Sequence, residues 1–151
     1  MKRAVSCAKK AAKIGEVPVG AVVVRNGEVI STGYNRRETD KNVLRHAEIT
    51  AIDRACKKLG GWRLWECDIY VTLEPCPMCA GAIINSRIRN VYIGAPDLKN
   101  GAMGSVVSLQ DCFTHKPTVV NGILKDECAA VLSDFFKDLR EKKRNEKSQK
   151  M

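Results

Sequence analysis

No stretch of this 151-residue chain approaches the roughly eighteen consecutive apolar residues that a membrane-spanning helix requires. Met1-Lys2-Arg3 opens directly into an Ala/Lys-rich segment without the apolar core of a signal peptide, so we expect a soluble cytoplasmic protein. Internal repeats and interior linkers are also lacking. Residues 1–151 are therefore expected to form one domain, with a basic, fraying tail over about 141–151. Acid is scarce at the two ends. Residues 1–13 carry five bases and no acid, and residues 137–150 carry seven bases against three acids, which together account for the whole net charge of +9. Neither basic segment sets bulky aromatics on an apolar face, so a nucleic acid is a better partner than a membrane surface. Two solvated helix faces are the alternative.

Cysteine is abundant, yet the seven residues are an odd number with no secretory context, which argues against a disulfide framework and for reduced thiols or a metal site. Ala4, Val5, Ala8, Ala11 and Ala12 predict a first helix to about Lys13, ended by Gly15. Val19–Val24 and Glu28–Tyr34 flank Asn26-Gly27 and predict a β-hairpin. After a polar loop from Asn35 to Arg45, the spacing of Ile49, Ile52, Cys56 and Leu59 predicts a helix that begins near His46 and stops at Gly60-Gly61. A strand over Ile69–Leu73, a helix over Met78–Ser86 and a strand over Val91–Ala95 follow, the alternation expected of helices packed on a mixed or parallel sheet. Residues 96–116 give little signal beyond turns at Asn100-Gly101 and Gly104, with a short helix around Val106–Cys112. A fifth strand is expected over Thr118–Ile123. The final helix starts near Lys125, its apolar stripe made by Cys128, Val131, Leu132, Phe135, Phe136 and Leu139.

The chemistry resides in His46-Ala47-Glu48 and, one strand later, Pro75-Cys76-Pro77-Met78-Cys79. Three protein ligands (His46, Cys76, Cys79) leave the fourth tetrahedral position of a zinc ion open for water, as a catalytic site requires. Cys76 falls where a helix is capped, Pro77 suits the first helical position, and Cys79, three residues on, returns to the same side. Residues two apart on a regular helix point in different directions, so His46 and Glu48 converge only if His46 lies at the irregular start of its helix. Glu48 is then placed as general base and acid. The pairing of H-x-E with P-C-x-x-C is the established signature of zinc nucleobase deaminases, and the expected mechanism rests on recognition of that motif. A redox C-x-x-C pair with an unrelated buried histidine is the competing reading. A closed structural zinc site would need a fourth ligand from Cys56, Cys67, Cys112, Cys128 or His115; the first and fourth of these look like core, and the others cannot be placed from sequence.

The likeness extends well beyond the zinc motif, through Glu16–Ala21, Gly33–Arg36, His46–Ile49, Thr72–Ile83, Gly94–Asp97, Gly101–Ser105 and Asp126–Phe136. These segments resemble the bacterial tRNA-specific adenosine deaminases, which convert the wobble adenosine of an anticodon loop to inosine. The resemblance implies a three-layer α/β/α, cytidine-deaminase-like fold with a five-stranded mixed sheet, one zinc per subunit, a homodimer, and tRNA held partly across both subunits. It further implies that Asn35 hydrogen-bonds the edge of the inserted base, that Asp97 contacts the RNA backbone, and that Phe136 with the basic segment Lys137–Lys147 meets the anticodon loop. Without it, Asn35 is a turn residue and Asp97 an ordinary loop aspartate. The other classes in contention are a deaminase of a free base such as guanine or cytosine, and a catalytically silent RNA-binding scaffold.

Overall fold

The computed structural model describes residues 1–151. In chain order the elements are α1 (Lys2–Lys13), β1 (Gly20–Arg25), β2 (Glu28–Tyr34), α2 (Ala47–Leu59), β3 (Cys67–Leu73), α3 (Pro77–Asn85), β4 (Asn90–Ala95), β5 (Thr118–Val120) and α4 (Lys125–Gln149). Asn26 and Gly27 both take positive φ, the backbone that a type I′ turn demands, and β1 and β2 pair antiparallel across it. The mixed sheet has the order β2-β1-β3-β4-β5, antiparallel at β2/β1 and β1/β3 and parallel at β3/β4 and β4/β5. Helices α1 and α4 pack together on one face, and α2 and α3 on the other, which completes the three layers.

Register determines what the sheet can present at its edge. Leu73 lies beside Ala95 across β3/β4, Ala21 beside Val71 across β1/β3, and Gly20 beside Tyr34 across β1/β2. The ends of β2, β3 and β4 and the start of β1 therefore share one edge, so the segments that leave or enter them converge there. Alternation along β3 buries Cys67, Ile69 and Val71 in a core shared with Ala47, Ala51, Ala55, Ala80 and Ile83 of the two helices on that face. Tyr70 and Tyr92 point the other way and stack with ring centroids 4.5 Å apart. Alanine on α2 and glycine on β2 bring helix and strand unusually close: a Cβ at Gly33 would collide with the Ala47 carbonyl and the Ala51 amide. This approach sets the depth at which the start of α2 sits against the sheet.

Three segments differ from the sequence expectation. The helix expected around Val106–Cys112 is a single 3-10 turn, Leu109–Asp111, because Gly101–Ser105 is drawn inward by hydrogen bonds to Glu74 and Met103 forms a bridge with Ser108. β5 stops at Val120, since Gly122 and Leu124 take positive φ and turn the chain into α4, although the Ile123 amide still donates to the Ile93 carbonyl. Helix α4 continues to Gln149, through the segment from about residue 141 for which composition predicts fraying. Of the apolar stripe on α4 only Cys128 is buried; Val131, Leu132, Phe135 and Leu139 are half-buried, and Phe136 is exposed. No helix is long and apolar enough to cross a membrane.

Because any side chain at residue 33 must push α2 off β2, we expect Gly33→Ala to destabilise the protein by about 1–3 kcal/mol, the usual cost of overpacking. Urea unfolding measures this; an unchanged midpoint would show that α2 can shift without cost.

Candidate metal centre and active-site cavity

His46 is the cap of α2, with extended backbone (φ −75°, ψ 154°), and the helix proper begins at Ala47. That break in periodicity is what allows His46 and Glu48 to face the same space. Cys76 caps α3 in the same manner (φ −71°, ψ 173°), with Pro77 in the first turn and Cys79 buried one turn on. The two helices touch, so their N-termini meet at the shared sheet edge. His46 Nδ1 lies 3.6 Å from Cys76 Sγ and 3.5 Å from Cys79 Sγ. A tetrahedral zinc ion with bonds of about 2.1 Å to nitrogen and about 2.3 Å to sulfur separates such donors by about 3.6 Å. The donor set therefore fits a metal ion of that size. It is the one cluster of three or more His, Cys, Asp or Glu side chains close enough to hold one.

The remaining cysteines and the second histidine lie outside that cluster. Cys67 and Cys128 are buried, Cys56 is half-buried with Sγ near the Trp62 carbonyl, Cys112 is exposed, and His115 Nε2 sits 2.7 Å from the Ile88 carbonyl. The cluster thus offers three donor side chains. A closed structural site with a fourth is not built.

Four titratable side chains, His46, Glu48, Cys76 and Cys79, set the charge at this centre. The neighbouring Cys79 thiol, joined by His46, holds the Cys76 thiol down at about 4 despite its partial burial. The Cys76 thiol beside it, with burial, pushes Cys79 far up. His46 is raised by its bond to Cys76 and then by the charge of Glu48. Burial raises Glu48, which is only 4% exposed and sits within the first turn of α2. A divalent cation bound here would take the place of the Cys79 proton, with both sulfurs as its ligands.

Beside this centre opens a cavity of about 390 Å³. His46, Glu48 and Cys76 form part of its wall, with Asn35 and Arg37 from the loop after β2, Val17 and Val19 ahead of β1, Leu73 and Glu74 at the end of β3, and Asp97 and Asn100 after β4. Asn35 and Asp97 each have local work as well. Asn35 Oδ1 accepts from the Arg37 amide and Nδ2 donates to the Val17 carbonyl, while Asp97 Oδ1 accepts from the amides of Lys99 and Asn100. The turn role open to both residues from sequence is thus real, and it coexists with a place in the cavity wall. Phe136 is different: it lies outside the cavity lining, on α4, edge-on to Phe135 and 39% exposed.

Two buried carboxylates escape sequence reasoning. Glu16 Oε1 accepts from both the amide and hydroxyl of Thr39, at 2.5 and 2.7 Å, and so ties the loop after β2 to the segment before β1. Glu74 binds the loop after β4. A glutamate at the end of an apolar strand, immediately before the metal-binding turn, is the available signal for the second; Glu16 has none.

Known proteins share this outline. The MafB19-like deaminase family profile matches residues 1–140. The tRNA-specific adenosine deaminase of Bacillus subtilis is 51% identical over 146 residues, covering 95% of this chain and 91% of that protein. The chain belongs to the tRNA-specific adenosine deaminase family. A Haemophilus influenzae family member is 42% identical over 98% of this chain and 87% of its own length. A solved structure from work on A-to-I editing by tRNA:A34 deaminases superposes with a TM-score of 0.85 at 45% identity, over 87% of this chain and 97% of that one. A guanine deaminase from Bacillus subtilis, 43% identical, matches with a TM-score of 0.60 over 63% of this chain and 61% of that one. The family is therefore one of deaminases built on this three-layer fold.

The raised Cys79 thiol has a measurable consequence. Titration of zinc into the protein at pH 7 should release a proton from the Cys79–Cys76 pair, seen by pH-stat or by buffer-dependent calorimetry. Zinc uptake without proton release would contradict the arrangement.

Proposed function

We propose that this protein is a zinc-dependent hydrolytic deaminase that converts the wobble adenosine of a tRNA anticodon loop to inosine, with residues 1–151 acting as one catalytic domain. The observation that carries the reading is the placement of Glu48, a buried carboxylate two residues from His46, in the wall of a cavity that also exposes two of the three metal-ligand residues. A scaffold has no use for a proton carrier there. His46, Cys76 and Cys79 would hold the ion, one in each subunit. Zinc, when bound, supplies the Lewis acidity that makes water a nucleophile at neutral pH.

Glu48 takes a proton from the attacking water and delivers it to the ring nitrogen beside the attacked carbon, then takes the remaining proton from the newly added hydroxyl and passes it to the amine as the carbonyl forms and the C–N bond breaks. Adenosine and water become inosine and ammonia. Burial supports this role, because a raised carboxyl holds a proton long enough to pass it on. Asn35 has a second amide hydrogen beyond the one given to Val17, which suits it to the edge of an inserted base. Asp97 Oδ2 takes no bond from the protein and suits a ribose 2′-hydroxyl, a contact that helps distinguish RNA from DNA. The base must leave its stack to enter, which is least costly in a single-stranded loop.

Phe136 and the basic face of α4 belong to the same substrate surface, outside the cavity. Phe136 offers an exposed ring for stacking, and Lys137, Arg140, Lys143, Arg144 and Lys147 supply positive charge along an exposed helix. The protein works as a homodimer in the cytoplasm in this reading. Val106, Val107 and Leu98 are 53%, 46% and 79% exposed beside the cavity loop, apolar surface that a second copy would cover. The guanine deaminase match supports one rival, a free-base deaminase on the same fold.

The deciding experiment incubates zinc-loaded protein with an anticodon stem-loop carrying a wobble adenosine, and in parallel with free adenosine, guanine and cytidine, and identifies the products by mass spectrometry. Inosine from the stem-loop alone is expected; product from a free base alone would favour the rival. Glu48→Gln should keep zinc and RNA binding and lose about 10²–10⁴-fold in turnover. Unchanged turnover would remove Glu48 from the mechanism. Stem-loop affinity should fall linearly in log–log form with salt, at a slope of about −0.7 per phosphate neutralised on a single strand. A flat response would separate the basic ends from the substrate.

A further inference from the structure

Glu74 is 3% exposed and lies just past the end of β3, two residues before Cys76. No lysine or arginine pairs with it. Its partners all come from the loop after β4. Oε1 accepts from the Asp97 amide at 3.3 Å and from the Ser105 hydroxyl; Oε2 accepts from the amides of Met103 and Ser105, each at 3.1 Å. Glycine at residue 101 leaves room for this, since a Cβ there would collide with Oε2 and with the Asp97 carbonyl. Parallel to these bonds, the Ala102 amide donates to the Pro75 carbonyl at 2.9 Å and the Glu74 amide to the Ala95 carbonyl at 2.9 Å.

From this geometry we infer that Glu74 is a positioning residue: its carboxylate clasps the 97–105 loop to the metal-binding turn and thereby holds Asp97 at the cavity. The catalytic consequence rests on the deaminase reading above; the clasp does not. Three of the four donors are backbone amides that can only donate, and they are divided between the two oxygens. A carboxylate meets that demand because both of its oxygens accept. Glutamine cannot, because whichever way its amide turns, an NH2 group faces at least one backbone N–H. Aspartate falls one methylene short. The identity of the residue, and not only its polarity, is therefore set by the loop.

The test uses the zinc-loaded full-length protein and its Glu74→Gln variant. Backbone amide hydrogen exchange should accelerate by about tenfold or more at Asp97, Met103 and Ser105, while the amides of α1 and α2 and the zinc content stay at wild-type values. Unchanged exchange at those three amides overturns the clasp. On the anticodon stem-loop, kcat/KM should fall by about 10–100-fold, mostly through KM, and Glu74→Gln added to Asp97→Ala should cost little more than Asp97→Ala alone, the non-additivity expected of residues that act through one loop. Losses that multiply would overturn the route through Asp97. If wild-type protein leaves the stem-loop untouched, the functional reading fails and the exchange experiment still judges the clasp. Should Glu74→Gln not fold, Gly101→Ala crowds the same carboxylate and should raise exchange at the same amides; wild-type exchange there would count against the proposal.

Discussion

Two thiols and an imidazole can share one cation only if they are delivered to the same few ångströms, and here that depends on two helix N-termini meeting. Helices α2 and α3 lie on one face of the sheet and touch, and each begins at the edge where β2, β3 and β4 end. Both caps are extended backbone, which frees His46 and Cys76 from helical periodicity. The positive ends of both helices then favour thiolate over thiol at the ligands and stabilise negative charge generally at the site. The parallel pairing of β3 with β4 is the topological condition for this, since it requires a crossover, and α3 is that crossover.

Around the metal centre the protein buries three glutamates and gives each a different environment. Glu48 is raised because its burial outweighs the opposing influence of Cys79, its own backbone amide and His46, which would suit a group that picks up and releases a proton. Glu16 fastens one loop with a single oxygen, through the amide and hydroxyl of Thr39. Glu74 fastens the opposite loop with both oxygens. A burial cost that would be prohibitive for an isolated carboxylate is offset in the latter two by hydrogen bonds from loop residues that would otherwise have no regular structure to hold them. The loops that line the cavity are in this way as well supported as the helices, although they have no helical or sheet ladder of their own.

The C-terminal helix follows a different logic. Its first turn carries Asp126 and Glu127 and its later turns carry most of the positive charge, which agrees with the helix dipole and makes a long exposed helix tolerable. Only Cys128 is buried, against Gly94 of β4, where a Cβ would collide with its sulfur. Beyond that anchor the helix keeps its apolar stripe half-covered, so its distal part is available as surface.

Much of this was legible in the sequence because the determining interactions are local. Hydrophobic periodicity located all four helices and five strands, Asn26-Gly27 located the hairpin, and motif spacing located the cluster of His46, Cys76 and Cys79, including the requirement that His46 stand outside its helix. Composition located the positive charge at the two ends. Where the sequence was a poor guide, the structure had been decided by contacts distant along the chain. The segment from Gly101 to Ser105 has no periodic pattern, since its conformation is set by the Glu74 carboxylate 29 to 31 residues before the amides that bind it. Val106–Cys112 has enough apolar residues for a helix, but its start is already committed to that loop and only one 3-10 turn remains. Asn35 and Asp97 were assignable as turn residues from their neighbours, whereas their common place in one cavity wall follows from strand register. The sequence by itself determined which residues make up the candidate site and which elements hold them; only the tertiary structure decided which loops face the cavity, because buried carboxylates bind backbone amides that no local pattern marks.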